Sequence, residues 1–218
     1  MKNTKQRRVD FNRSEILNAA KELFSTKGAA ATTVDDIARK AEYSKATIYV
    51  YFKSKDDIYY SIVSEYMQML HDEIIRCFSD TEDCEGAYFR LCNSLVRFER
   101  EYPMYFDCIL GNIAVSKGKM AELPVLGSIA DTGEEINSAV CDFIEKGKRE
   151  GFIREDVNPL RATFVMWSGI CGIISLASRK TEYLEKRLGI DMDEYLRESF
   201  ATLLRMIRKD DTAGEGSV

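Results

Sequence analysis

Apolar residues recur at helical spacing along nearly the whole chain, and this pattern restricts the fold more than any other feature of the sequence. The first clear stripe comprises Ile16, Leu17, Ala20, Leu23 and Phe24, which share one helical face. From residue 55 onward we find the same periodicity and no convincing strand pattern. Only 3 prolines and 13 glycines occur in 218 residues, so long helices are rarely interrupted. The sequence therefore predicts an all-α protein.

The first fifty-five residues contain repeated signals for helix starts and ends. Asn12, followed by Glu15, fits an N-cap with a return contact, and Gly28 fits a left-handed C-cap, which predicts a first helix over 13–27. Thr33 with Asp36 repeats the capping pattern and opens a second helix of about two turns.

A third short helix, predicted over 45–52, follows a break at Glu42–Tyr43 and a cap at Ser44. Ile48 and Phe52 lie four residues apart and face the core, which leaves a polar and aromatic surface outward. Two short helices joined by a three-residue turn are typical of a helix-turn-helix, whose second helix enters the major groove of DNA. Spacing alone also fits an ordinary corner between two helices.

The charge of the chain is divided unevenly. The chain's net charge is −5. Residues 1–55 hold twelve Lys or Arg against six Asp or Glu, a net charge of +6, so the remainder carries −11. A basic head on an acidic body is expected when only one end of a protein meets a polyanion.

The segments ILNAAKELFSTKG, TTVDDIARKA and SKATIYVYFKSKDDI, between Ile16 and Ile58, resemble the DNA-binding domain of the tetracycline-repressor (TetR) family. The match is contiguous over most of the head and includes TIYVYFKSK, the most specific part of the family pattern. The remaining chain resembles the family only in length and helical character.

This resemblance implies roles for individual residues of the head. Thr33 would cap the second helix and bind a phosphate, and Lys55 would pair with another. Ile48 and Phe52 would be core residues. The residues expected at the DNA surface are the cap Ser44; Lys45, Ala46 and Thr47 nearest the bases; Tyr49 and Tyr51 at backbone or base edges; and Val50 at a thymine methyl or sugar.

The head departs from the family pattern at two places. The family usually has Gly-Val before the recognition helix, where this chain has Glu42–Tyr43. Glycine suits a positive φ in that turn, so either Glu42 tolerates the strain or the turn has another shape. Ala46 also stands where the family usually has glycine.

The body is predicted to contain six further helices, which gives about nine in all. They are expected at about 55–78, 85–101, 104–114, 124–150, from near Pro159 through Ala177, and 192–209, with a polar connector over 115–123. The predicted domains are a DNA-binding domain over 1–54, a helical ligand-binding and dimerisation domain over 55–209, and a disordered tail over 210–218.

The last two long helices are predicted to form a homodimer. The helix after Pro159 is apolar on nearly every face between Phe164 and Ala177, and the final helix has one strong apolar stripe. Such helices suit a four-helix interface between two copies, although one of them could belong wholly to its own core. The family resemblance favours the dimer, because a palindromic operator requires two recognition helices about 34 Å apart.

An aromatic and Met-rich set in the body is a candidate ligand pocket, although such sets often form plain core. The resemblance implies a mainly apolar cavity there for a small-molecule effector, whose binding would shift the fourth helix and release DNA. The candidate residues are Tyr59, Tyr66, Tyr88, Phe89, Phe98, Met104, Tyr105, Phe106 and, at the border, Trp167.

Other functions fit the sequence less well. An enzyme is disfavoured because no phosphate-binding glycine loop, nucleophile elbow or metal-ligand cluster occurs and His71 is the only histidine. An acidic body is a poor design for a non-specific architectural protein. A thiol redox sensor, an activator and a ligand-independent regulator remain open.

The cellular context follows from the same composition. Met1 to Arg8 is polar and basic, so we expect no signal peptide, no membrane partner and a cytoplasmic protein. The six cysteines show no CxxC pair and are expected to be reduced. We expect no metal and no cofactor.

Overall fold

The computed structural model describes residues 4–79, 83–109 and 117–209, and these form eleven helices and no strand. The all-α prediction is confirmed. The helices are α1 (Thr4–Lys27), α2 (Val34–Lys40), α3 (Lys45–Tyr51), α4 (Lys55–Ser79), α5 (Cys84–Glu101), α6 (Pro103–Ile109), α7 (Lys117–Glu122), α8 (Val125–Arg149), α9 (Pro159–Arg179), α10 (Thr181–Leu188) and α11 (Met192–Arg205).

The predicted number of about nine helices is too low, because two short helices carry little apolar periodicity. α7 lies within the predicted polar connector, and α10 has no counterpart in the prediction. In α10 only Leu184 is buried, so the helix has no apolar stripe to detect. The predicted sixth helix reaches Ile109, and its predicted remainder, 110–114, lies outside the described residues, as does the predicted tail.

Two helix ends also differ from prediction. α1 begins at Thr4, so Asn12 lies inside the helix and is not a cap; its side chain makes tertiary hydrogen bonds instead. α11 ends at Arg205 and not at Lys209, because the following backbone pairs with 152–154. The amide of Arg154 donates to the Ile207 carbonyl at 3.0 Å, and that of Lys209 donates to Phe152 at 2.8 Å.

The chain divides into two compact units, and the division falls within α4. The first comprises Met1–Gln68 with Ile113–Asp131, and the second Met69–Asn112 with Thr132–Val218. The unit that contains the first three helices therefore extends beyond the predicted 1–54.

The first unit is organised around a small apolar core shared by α1 to α4. Buried residues from each helix meet in it: Ile16, Ala20 and Phe24 of α1, Ile37 of α2, Ile48 of α3, Phe52, and Ile58 and Ile62 of α4. Apart from the one at Asn12, the caps predicted for these helices are present. Gly28 has φ 81°, and Thr33 and Asp36 form a capping box with both of its hydrogen bonds.

The second unit is built on α9, which packs against α5 and α11. The buried Tyr88 of α5 donates a hydrogen bond to the Phe200 carbonyl of α11 at 2.9 Å. Met166, Ile170 and Ile174 of α9 are buried as well. Among the described helices, only α9 is long and apolar enough to cross a membrane, at a mean hydropathy of 1.5, and core helices of soluble proteins have the same composition.

A close approach at the end of α8 makes one glycine necessary. A Cβ on Gly147 would lie 2.7 Å from Cδ1 and 2.9 Å from Cγ1 of Ile153, which is itself buried. Ile153 cannot withdraw easily, because its amide donates to the Gly147 carbonyl and its backbone bridges to Arg208. The turn after α8, which holds Ile153 against Gly147, therefore leaves no room for a Cβ at Gly147.

We predict that Gly147→Ala lowers the free energy of unfolding by about 1–3 kcal/mol through overpacking. The matched control is Gly127→Ala on the same helix, where the new Cβ would meet only Met120 Cε at 3.8 Å. That variant should gain up to about 1 kcal/mol from helix propensity. Urea denaturation followed by circular dichroism measures both, and equal effects would contradict the packing argument.

Candidate nucleic-acid interface

The turn between α2 and α3 contains a strained residue. Glu42 has φ 58°, the only positive φ of a non-glycine residue in the described chain. Its neighbours hold it in place, because the Ala41 amide donates to Ile37 and the Tyr43 amide to Ala38, both at 2.9 Å. The turn therefore keeps the left-handed conformation that glycine would favour, with glutamate tolerating it.

The cap of α3 forms as predicted. The Ser44 hydroxyl accepts a hydrogen bond from the Thr47 amide at 3.0 Å. The Thr47 hydroxyl, 2.8 Å from the Ser44 hydroxyl, belongs to the same cap. Both side chains thus lie at the N-terminus of α3, where free amides and the helix dipole attract anions.

The outward face of α3 carries large side chains that nothing in the first unit covers. Val50 is 78% exposed and Tyr49 50% exposed, while Ile48 and Phe52 are 1% exposed. Lys45 and Ala46 are exposed on the same side. Five of the predicted contact residues, including Ser44, therefore form one continuous surface.

Lys45 is paired with an acid from the preceding helix. Its Nζ donates to Asp35 Oδ2 at 2.8 Å, and this hydrogen bond raises the pKa of Lys45 above its usual value. The side chain is therefore fully charged at neutral pH. Because both partners are half exposed, the pair is weak and open to competition from another anion.

Thr33 is held within its own capping box. Its hydroxyl donates to Asp36 at 2.7 Å and accepts from the Asp36 amide at 3.1 Å. Lys27 donates to the same carboxylate at 2.6 Å, and this bond, followed by those from Thr33, lowers the pKa of Asp36 far below its usual range. A phosphate bond from the Thr33 hydroxyl would have to replace the bond to Asp36.

Tyr51 does not lie on the outward face. It is half-buried, and its hydroxyl accepts a hydrogen bond from Asn12 Nδ2 at 2.8 Å. The amide oxygen of Asn12, Oδ1, accepts a hydrogen bond from the Tyr43 hydroxyl at 3.1 Å. The predicted contact of Tyr51 with base edges is not supported, because its hydroxyl is directed toward α1.

Arg13 strengthens the same junction. It donates to the Tyr51 carbonyl at 3.2 Å and the Ser61 hydroxyl at 2.9 Å, and its guanidinium lies 4.3 Å from the Phe52 ring centroid. The sequence patterns indicated no role for Arg13 and predicted that Asn12 is an N-cap. These hydrogen bonds join residues 38 to 48 positions apart, so local patterns hold no signal for them.

Lys55 also differs from its predicted role. Its ammonium donates to the carbonyls of Ala29, Thr32 and Ala30 at 2.8, 3.0 and 3.3 Å. A lysine has three donors, and all three are used here. Lys55 therefore fastens the loop after α1, and the predicted phosphate pair is not supported by this arrangement.

The aromatic set predicted to line a pocket is not gathered around one cavity. Tyr59 and Tyr66 belong to the first unit, where they contact Phe24 and Lys21. The other members lie in the second unit and differ in exposure. Four are core residues, namely Tyr88, Phe98, Tyr105 and Phe106, while Phe89, Met104 and Trp167 are half-buried.

A cavity of about 760 Å³ lies between α5 and α11 in the second unit. Of the predicted set, only Phe89 lines it. Apolar and charged residues both line it: Phe89, Asn93, Val96, Arg97, Arg100, Glu101, Asp193, Leu196, Arg197 and Phe200. An amphipathic molecule would match this distribution.

Four of the cysteines are poor candidates for redox sensing. Burial raises the pKa of Cys92 and Cys171 to about 12 and also raises that of Cys77. Burial, together with a hydrogen bond to Glu150 at 2.9 Å, raises the pKa of Cys84 to about 12. These thiols stay protonated at neutral pH, and the thiolate is the reactive form.

Comparison with known proteins agrees with this geometry. Residues 16–62 match the family described as bacterial regulatory proteins, tetR family. The chain is 35% identical over 146 residues to the HTH-type transcriptional regulator HbdR of Aromatoleum sp., a match that covers 67% of this chain and 62% of HbdR. It is 30% identical over 103 residues to the HTH-type transcriptional regulator QacR of Staphylococcus aureus, covering 41% of this chain and 55% of QacR. The matched part thus spans less than two thirds of either relative.

The fold comparison extends over more of the chain. The structure of the fatty acid degradation regulator FadR from Bacillus halodurans aligns with a TM-score of 0.66 at 18% identity, over 88% of this chain and 94% of that one. At this identity the likeness establishes the fold alone. Residues 16–62 therefore match the bacterial regulatory proteins of the tetR family, and 88% of the chain shares the fold of FadR.

Proposed function

We propose that the protein is a cytoplasmic transcriptional regulator that binds a palindromic operator as a homodimer, represses transcription, and is released by a small-molecule effector. The exposed face of α3 is the observation that carries the DNA-binding part. A seven-residue helix with Val50 and Tyr49 outward, and with no structural need for either there, fits the major groove.

The residues of this face divide into two roles. We expect Ala46, Tyr49 and Val50 to contact base edges, where an apolar side chain recognises the thymine methyl. We expect Lys45 and Ser44, and Thr33 once its hydroxyl leaves Asp36, to bind phosphates, which position the protein without reading sequence. The relatives HbdR and QacR are both named transcriptional regulators, which supports the same activity here.

The experiment that tests this function is selection of duplexes from a random library by the purified full chain at about 150 mM salt. We expect enrichment of an inverted repeat whose half-sites lie on one side of the duplex, about one helical turn or more apart. No enrichment over random DNA would reject operator binding.

We predict that Val50→Ala changes the preferred base at one position of each half-site and leaves affinity for random DNA unchanged. Lys45→Ala should instead weaken binding to all duplexes and lower the salt-dependence slope by about 1 for each phosphate that Lys45 neutralises. Repeating the selection with both variants and titrating salt separates the two roles. The same change in both variants would show that this division of roles is wrong.

An exposed apolar stripe on α9 supports the homodimer. Leu160 and Phe164 are 55% and 53% exposed, and Val165 and Leu176 continue the stripe at helical spacing. The opposite face of the same helix is buried in the second unit. A helix with two apolar faces needs two partners, and a second copy of the chain supplies the second one.

We predict that Phe164→Glu converts the dimer to a monomer, because the interface would have to bury an unpaired carboxylate. The matched control is Leu188→Glu on α10, where leucine is equally exposed but lies off the stripe. Sedimentation velocity gives the mass of each variant. A dimer that survives Phe164→Glu would place the interface elsewhere.

The cavity between α5 and α11 is the site we propose for the effector. Phe89, Val96 and Leu196 offer apolar contact, and Arg97, Arg100 and Arg197 stand among the lining residues. α4 runs without a break from Lys55 to Ser79 and takes part in both units, so a change in one unit has a continuous helix through which to act.

We predict that anilinonaphthalene sulfonate, an apolar anion, binds the full chain and that Val96→Arg weakens its binding at least about tenfold, equivalent to ~1.4 kcal/mol. Leu188→Arg serves as the control outside the cavity and should leave binding unchanged. Dye fluorescence measures affinity, and circular dichroism confirms folding. Unchanged dye binding in Val96→Arg would exclude this cavity as the dye site.

A further inference from the structure

The first turns of α1 extend the basic head beyond the residues that match the family. The match begins at residue 16, whereas α1 begins at Thr4. Lys5, Arg7 and Arg8 all lie in this extension and all are exposed. Because these residues belong to a continuous helix, their directions are fixed by the helix they extend.

Asn12 shows which face of α1 is turned toward the recognition helix. Its amide bonds the hydroxyls of Tyr43 and Tyr51, at 3.1 and 2.8 Å. Tyr43 directly precedes the cap of α3, and Tyr51 is the last residue of α3. Asn12 of α1 therefore bonds side chains from both ends of α3.

Helical periodicity carries this direction into the extension. Arg8 and Lys5 precede Asn12 by four and seven residues, so they lie on the Asn12 face, about 6 and 10 Å farther along the helix. Arg7 lies about 140° around the helix from Asn12, on the opposite side. The extension thus has one basic face on the side of α3 and another directed away from it.

A helix seated in the major groove is bordered on both sides by phosphate backbones, because the groove is only about 12 Å wide. Lys5 and Arg8 lie one to two turns before Asn12 on the face of α1 that is turned toward α3. Arginine suits phosphate oxygens well, since its planar guanidinium donates two parallel hydrogen bonds.

We propose that Arg8, assisted by Lys5, binds DNA phosphates that flank the half-site read by α3. This contact rests on the proposed operator binding. It adds affinity and a longer footprint without adding base preference, because phosphates are the same at every position. Asn12 is a positioning residue in this proposal: it holds the extension alongside α3 and does not itself bind DNA.

The experiment compares Arg8→Ala with Arg7→Ala in the full chain, on the duplex that wild-type protein enriches most from a random library. Fluorescence anisotropy at several salt concentrations gives affinity and salt slope. Arg8→Ala should weaken binding by about tenfold and lower the slope by about 2 for a dimer, one released counterion for each protomer. Arg7→Ala, which removes the same charge from the other face, should change neither value.

Trimming the flanks of the duplex provides the second readout. When the duplex ends at the half-sites, wild type and Arg8→Ala should bind equally, because the flanking phosphates are gone. Equal losses for Arg7→Ala and Arg8→Ala would overturn the proposal in favour of general charge. Tight wild-type binding with no effect of Arg8→Ala would overturn it and leave the proposed function standing, whereas absence of any enriched duplex would reject the proposed function itself.

Discussion

The attachment of α3 to α1 is the constraint on which the whole proposed DNA-binding surface depends. A helix of seven residues is too short to be stable by itself, so its position must come from its neighbours. Ile48 and Phe52 supply buried apolar contact. Arg13 adds a hydrogen bond to the Tyr51 carbonyl and a cation–π contact with Phe52 at the C-terminal end of α3, and a second hydrogen bond to Ser61 of α4. Fixing these buried residues fixes the opposite face, and that face carries Val50 and Tyr49.

The acidic residues of α2 moderate the charge of the basic head. Asp36 binds Lys27, and Asp35 binds Lys45, so two of the cations near the surface are neutralised in the free protein. In the proposed complex with DNA, a phosphate would replace Asp35 at Lys45, which reduces the gain from non-specific attraction. Base contacts would then contribute a larger share of the total binding free energy, because the contribution of phosphate contacts is smaller.

Local sequence patterns predicted the parts of this structure that depend on neighbouring residues. The caps at Thr33 and Ser44 and the left-handed Gly28 involve partners within four residues, and all three were predicted. The roles of Asn12 and Lys55 were missed because their partners lie 23 to 39 positions away. The pocket could not be located for a related reason: the local pattern around an aromatic residue is the same whether it fills a core, as Tyr88 does, or lines a cavity, as Phe89 does.

The residues proposed to form the dimer interface also account for much of the apolar character of α9. Its buried face packs against α5 and α11, while Leu160, Phe164, Val165 and Leu176 lie exposed on the other side. A helix of a monomer needs only one apolar stripe, with polar residues opposite. The second stripe gives α9 a hydropathy sufficient for a membrane span, yet each stripe has a partner if two chains associate. Because the proposed symmetric operator requires two copies of α3, the residues proposed to pair two chains would also determine whether two half-sites are read together.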